Sequence, residues 1–135
     1  MATEAPEKTR RRARFHSLAV AGVRRLTADA IEVTFEIPDE LAADYSYSPG
    51  QYIAIRTAVE GEDVRRSYSI CQAPVDGELK VAIKRDLGGL FSTWAVEELA
   101  VGMRLDVMSP EGSFIPRGGL SRPAHYVAIA AGSGI

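Results

Sequence analysis

Hydrophobic residues recur at every second position over much of this chain once Phe15 is passed. Ile31, Val33, Phe35 and Ile37 alternate with Glu32, Thr34 and Glu36, which predicts a half-buried strand ended by Pro38-Asp39. A single helical turn is expected over 41–45, and Ser48-Pro49-Gly50 reads as a turn. Residues 51–57 read as a strand, and Glu60-Gly61-Glu62-Asp63 as a hairpin tip joining it to another over 64–71. Leu79, Val81 and Ile83 alternate again, and Leu105 with Val107 marks a further short strand. One segment breaks this rhythm. Phe91, Ala95 and Leu99 are spaced by four with Trp94 beside them, which predicts a short amphipathic helix over 91–99. Ser92 or Thr93 is its expected cap, Glu97 and Glu98 its outer side, and Gly102 lies just beyond its end.

Six or so short strands and one helix predict a mainly β fold, a small six-stranded antiparallel barrel. Residues 117–124 (Arg-Gly-Gly-Leu-Ser-Arg-Pro-Ala) read as a linker. The apolar run Tyr126-Val127-Ala128-Ile129-Ala130-Ala131 then reads as a strand of another kind, covered on both faces as in a parallel sheet. The expected organisation is a disordered basic tail over 1–14, a barrel over 15–116, the linker, and over 125–135 the first strand and turn of a second, truncated nucleotide-binding domain.

Length and charge narrow the function. A chain of 135 residues is one domain with room for a core. The first 14 residues carry +3, and the remainder −5 from 11 Lys/Arg against 16 Asp/Glu. A net charge of −2 gives no electrostatic case for nucleic acid. No apolar run is long enough for a transmembrane helix, and no signal-peptide core is present, so a cytoplasmic protein is expected. Cys71 is the only cysteine, which excludes an iron–sulfur cluster held by four cysteines of this chain. His16 and His125 have no metal-ligand spacing.

The candidate chemistry lies in two short segments. In Arg66-Ser67-Tyr68-Ser69, Arg66 and Tyr68 share one face of a strand, about 7 Å apart. The guanidinium suits a pyrophosphate, and the phenol ring offers a flat face to an aromatic ligand. Ser69 reaches that side only if the strand twists or ends there. About twenty residues on, Gly88-Gly89-Leu90-Phe91-Ser92 is a glycine turn running into a helix N-terminus, a natural place for phosphate. The strand between them, through Val81, Ile83 and Lys84, has backbone groups that can hold a connecting chain. A ligand with a flat ring and a phosphate matches both segments. The residues alone also leave open a cofactor-free β-barrel interaction module.

Four segments in the same order resemble the ferredoxin–NADP⁺ reductase superfamily. Pro49-Gly50-Gln51-Tyr52 resembles the strand before its flavin site, and Arg66-Ser67-Tyr68-Ser69 its RxYS flavin motif. Gly89-Leu90-Phe91-Ser92 resembles its GxxS phosphate motif, and Ala131-Gly132-Ser133-Gly134-Ile135 the start of its nicotinamide domain. Phe15-His16-Ser17-Leu18 and Arg65-Arg66-Ser67-Tyr68-Ser69-Ile70-Cys71 are most similar to oxygenase reductases of phenylacetate breakdown, with those of steroid- and aromatic-ring-hydroxylating monooxygenases as near alternatives. The resemblance implies a Greek-key flavin-binding barrel and favours FAD over FMN. It implies a longer protein in which NAD(P)H reduces the flavin and a [2Fe–2S] centre passes electrons to an oxygenase component. By the same resemblance Arg66 binds pyrophosphate, Tyr68 stacks on the flavin and Ser69 bonds near its N5. Val81, Ile83 and Lys84 then make contacts along the cofactor, partly through backbone, and Gly88, Gly89, Leu90, Phe91 and Ser92 close on the phosphates, with Ser67 in the same motif.

Overall fold

The computed structural model describes residues 12–118, 121 and 123–131. Six strands form one antiparallel sheet: β1 (Phe15–Thr27), β2 (Ala30–Glu36), β3 (Tyr52–Val59), β4 (Glu62–Ser69), β5 (Glu78–Lys84) and β6 (Arg104–Met108). A single helix, α1 (Leu90–Glu98), follows β5. The strand order is β4-β3-β6-β1-β2-β5. The sheet curls so that its two edge strands meet at one bridge, Ile70 opposite Val81, where the Cys71 N–H donates to the Lys80 carbonyl at 3.0 Å. This is the expected Greek-key barrel, held together at that seam by much less than elsewhere.

β1 makes the curl possible. Its first part, Phe15 to Ala19, pairs with β6, and its second part, Val20 to Thr27, pairs with β2. The register shifts between Val20 and Gly22, a bulge that bends the strand between its two partners. The tip between β3 and β4 is the two-residue loop Glu60-Gly61, with φ of 50° and 79°, so Glu62 and Asp63 already belong to β4.

The alternating positions fill the barrel. Leu18, Ile31, Val33, Phe35, Ile53, Ile55, Leu79, Val81, Ile83 and Val107 are fully buried, with Phe91 of α1 plugging one end. The loop before β3 also enters the core. Its helical turn forms at Asp39–Leu41, two residues ahead of the expected place, because Pro38 supplies the extended entry. Tyr45 is then driven inward, and its hydroxyl donates to the Val107 carbonyl at 2.6 Å. Burial pushes the Tyr45 phenol up to about 12.

The strand expected over 125–130 is not formed. Residues 123–131 have no regular structure, and Tyr126, Val127 and Ile129 are exposed. A strand exists through its ladder, and no neighbouring strand pairs with this segment among the described residues. The tail over 1–11 and the turn over 132–135 lie outside the described residues.

Candidate functional site

Strict alternation along β4 sorts the first motif into two faces. Val64, Arg66, Tyr68 and Ile70 share the face that turns toward α1, and burial along it runs from buried Val64 to half-buried Tyr68 and Ile70. Arg65, Ser67 and Ser69 are exposed on the opposite face. Arg66 and Tyr68 are therefore brought together as expected, and Ser67 is turned away from them. Ser69 is the last residue of β4.

Tyr68 packs on Phe91 of α1, ring centroids 5.9 Å apart, and Phe91 on Trp94, again 5.9 Å apart. Three aromatic rings thus run from the end of β4 along the helix. Burial pushes the Tyr68 phenol up to about 12, with Asp86 adding to the shift and Arg66 opposing it. Tyr68 is thereby neutral at physiological pH. Arg66 is exposed, and its Nη1 donates to the Arg65 carbonyl at 2.9 Å, leaving its other donors open.

The second motif differs in detail from its sequence reading. Ser92 does not cap the helix. The N-cap is Gly89 and has no side-chain cap, so α1 starts at Leu90. Ser92 is buried within the first turn, and its Oγ accepts from the Asp86 N–H at 3.0 Å. The Gly89 N–H donates to the Asp86 carbonyl at 2.9 Å. A Cβ on Gly89 would lie 2.5 Å from Ser92 Oγ and 3.2 Å from the Asp86 carbonyl oxygen. Gly89 and Ser92 thus build the turn itself. Gly88, with φ of 74° and open space where a side chain would be, is the glycine that leaves room for a ligand.

What the turn exposes is amide groups. The first intrahelical bond runs from Thr93 N–H to the Gly89 carbonyl at 3.1 Å. The N–H groups of Leu90, Phe91 and Ser92 precede it and have no intrahelical acceptor. They present the positive end of the helix dipole. Phe91 is buried, so only its amide can serve a ligand.

Val81 and Ile83 keep only the backbone part of their expected contacts. Both side chains are completely buried in the core and cannot line a ligand site. Any contact there uses backbone. Arg85 N–H bonds to Asp29 on the β2 side, whereas the Lys80 carbonyl faces the seam. Alternation then turns the amide of Lys84, whose side chain is exposed, to the seam as well. Cys71 is exposed, and partial desolvation is the main cause that raises its thiol pKa.

A concavity of ≈ 420 Å³ lies on the other face of β4, lined by Arg56, Thr57, Ala58, Asp63, Arg104 and Asp106. Its arginines are occupied: Arg56 pairs with Asp106 at 3.4 Å, and Arg104 holds the Ser17 hydroxyl and carbonyl at 2.9 and 2.8 Å. The two sequence motifs meet instead at the seam, with the ring of Tyr68 on one side and the uncapped first turn of α1 on the other. Asp86 and Trp94 complete its surroundings, and neither stood out as a site residue in the sequence, since each takes its place only through the turn into α1.

A flavin nucleotide fits this seam. The open space at Gly88, the uncommitted helix amides and the aromatic face of Tyr68 each match one part of it. Fold and seam together define a flavin-binding barrel of the reductase type. The chain belongs to the oxidoreductase FAD-binding domain family, whose model matches residues 17–115.

A component of the 1,2-phenylacetyl-CoA epoxidase from Escherichia coli K12 is 46% identical over 121 residues, covering 90% of this chain and 34% of that protein. The ferredoxin reductase component of 3-ketosteroid-9-alpha-monooxygenase from Rhodococcus rhodochrous is 36% identical over 120 residues, covering 87% of this chain and 33% of that protein. The chain thus spans about a third of the length of these curated relatives. Among solved structures, the FAD/NAD-binding domain of nitric oxide dioxygenase from Vibrio cholerae superposes with a TM-score of 0.66 at 26% identity. That match covers 76% of this chain and 46% of that one.

Proposed function

We propose that this chain is the flavin-holding part of an NAD(P)H-dependent reductase that supplies electrons to a multicomponent oxygenase of the phenylacetyl-CoA epoxidase kind. The observation that supports the proposal is that Tyr68 packs on Phe91 of α1, whose first turn carries no side-chain cap, so that Tyr68, Arg66 and the first amides of α1 can serve one ligand. Its 46% identity to an epoxidase component supports the choice of partner. The 36% identity to a steroid monooxygenase reductase keeps a steroid hydroxylase as the second reading.

When bound, FAD accepts a hydride and releases electrons one at a time, which is the chemistry such a reductase needs. The chain's own residues hold and orient it. Tyr68 covers one face of the ring and, being neutral, offers a hydroxyl donor near its edge. Ser69, whose side chain lies on the opposite face of β4, reaches the ring margin because the strand ends at it. Arg66 and the amides of Leu90, Phe91 and Ser92 neutralise the pyrophosphate from two sides. Lys84 contributes its backbone to the connecting chain. A [2Fe–2S] centre is assigned to another part of a longer protein, since Cys71 is the one cysteine here, and NAD(P)H is assigned to that longer protein by the resemblance. One unpaired thiol also favours a reducing, cytoplasmic setting. Among the described residues no helix is long and apolar enough to cross a membrane.

The test is to incubate the purified chain with FAD, pass it through gel filtration and record its absorption spectrum. Flavin bands that travel with the protein are expected. A folded protein that emerges colourless, and stays so in a version extended at its C-terminus, overturns the reading.

A further inference from the structure

The outer face of the sheet, on the side of β4 turned away from the seam, carries a charged arrangement of its own. Arg56 of β3 and Arg65 of β4 are directly opposite each other, so their Cβ atoms stand about 5 Å apart. Both guanidiniums lie over one ring, that of Phe15 in β1, at 4.3 and 5.1 Å from its centroid. Met108 pairs with Phe15 across β1 and β6 and is buried, and Arg65 Nη2 reaches its sulfur at 3.5 Å. Two cations and an aromatic ring are thus fixed in place on the surface of three strands.

Within the barrel this arrangement is unfavourable. Like charges directly opposite on a sheet repel each other. Among the described residues Asp106 is the one carboxylate that pairs with either guanidinium, at 3.4 Å from Arg56 and with both side chains half exposed. A bridge of that kind contributes little. Arg65 has no carboxylate partner among the described residues. The ring of Phe15 holds both guanidiniums in position through cation–π contact, so less side-chain freedom is lost when a further group binds them. Arginine, aromatic residues and methionine are also the types enriched where proteins meet.

The concavity of ≈ 420 Å³ adjoins this pair through Arg56 and gives the face some depth. Asp63 and Asp106 stand among its arginines. Those two carboxylates decide between occupants. They repel a polyphosphate or an anionic bilayer, which offers only negative charge. A protein segment brings amide and hydroxyl donors for them together with carboxylates for the arginines. We propose that this face docks an acidic segment of a partner protein, with a carboxylate bridging Arg56 and Arg65 and neighbouring polar groups entering the concavity. Alternation along β4 places Arg65 on one face and Tyr68 on the other, so the segment is anchored apart from any ligand at the seam. The docking face is therefore independent of the flavin reading.

Nuclear magnetic resonance tests this directly, because the Nε–Hε signals of arginine report each guanidinium. The probe is a short blocked peptide of alternating Glu and Thr, compared with its Gln-for-Glu counterpart, inorganic phosphate and phosphatidylserine vesicles. The Glu peptide should shift the Arg56 and Arg65 signals saturably, and the Gln counterpart should not. Added salt should weaken the Glu peptide several-fold. Arg65→Gln should weaken it about three- to tenfold. The same variant should keep its fold and its FAD affinity, since Arg65 is exposed and turned away from the seam. The absence of a saturable shift, or equal shifts from the Gln peptide, overturns the proposal. Inorganic phosphate binding as tightly as the Glu peptide overturns it too, by reducing the pair to a general anion sink. Binding to the vesicles in preference to the peptide makes a bilayer the occupant instead. Shifts that persist in Arg65→Gln and vanish in Arg66→Ala would move the peptide to the seam, and the docking face would be lost.

Discussion

β2 and β5 are zipped along seven residue pairs and β3 and β4 along eight, whereas β4 and β5 meet at a single bridge. The zipped strands use their backbone groups on each other and their side chains on the core. At the seam some of those groups stay free, and there β4 turns Arg66 and Tyr68 toward α1 instead of toward another strand. The barrel thus separates two tasks. Cohesion comes from β1, β2, β3 and β6, and ligand recognition from the margin where cohesion is least. Substitutions on the two sides should therefore fail in different ways.

The largest effect belongs to the zipped side. Phe35 is fully buried, and Phe35→Ala should cost about 3–5 kcal/mol of stability through lost burial and the cavity left behind. Urea unfolding measures that loss, and the fraction that remains folded should bind FAD with wild-type affinity. A proportionate fall in the affinity of folded molecules would erase the division between the two sides. Arg66→Ala is the opposite case. Removing an exposed guanidinium from β4 should leave the unfolding midpoint almost unchanged. FAD affinity should fall about ten- to a hundredfold, the worth of a charge-assisted contact. Riboflavin, which has no phosphate, should bind as before. An equal loss for both ligands would remove the phosphate role from Arg66.

Gly89→Ala sharpens the comparison, because Gly89 belongs to the fold and to the site at once. Its new Cβ would collide with Ser92 Oγ at 2.5 Å and press on the Asp86 backbone. The turn must shift, at about 1–3 kcal/mol of stability, and the helix amides move with it. Stability and FAD affinity should fall together. Gly88→Ala is a milder counterpart, strained by its φ of 74° but free of any collision. A Gly89→Ala protein with normal affinity would show that the ligand does not depend on the turn.

The contrast also explains what was legible in the sequence. β2 and β5 are regular on both edges, so Ile31, Val33, Phe35, Leu79, Val81 and Ile83 alternate cleanly and all are buried. β1 was visible only as a change of period at Phe15, because its bulge at Val20 and Gly22 breaks the alternation partway. The paired placement of Arg66 and Tyr68 was legible from a spacing of two. Ser92 was not, since its three-residue offset from Gly89 fits either a cap or a first-turn residue, and the bond from Asp86 decides between them. Val81 and Ile83 lie on a strand that borders the seam, yet their side chains point into the core, a distinction that depends on which face the barrel closes around. Tyr45 read as the last residue of a helical turn, and its anchor on Val107, 62 residues away, could not be seen from that.

The smallest effect is alkaline. Tyr45 on the zipped side and Tyr68 at the seam both have phenols raised from 10.0 to about 12, chiefly by burial. In the unfolded chain these phenols ionise near 10, so between about pH 10 and 12 the folded protein holds protons that the unfolded chain has lost. The folded state then binds more protons, and stability must fall as pH rises through that window. Tyr68→Phe keeps the ring and removes the titration. It should flatten the alkaline fall with little change at neutral pH. Tyr45→Phe should flatten it too, but it also leaves the buried Val107 carbonyl without its donor, at about 1 kcal/mol even at neutral pH. Unfolding midpoints measured across the alkaline range separate these cases. If Tyr68→Phe lost stability at neutral pH as Tyr45→Phe should, its hydroxyl would be part of the barrel's own bonding rather than a group held ready for a ligand.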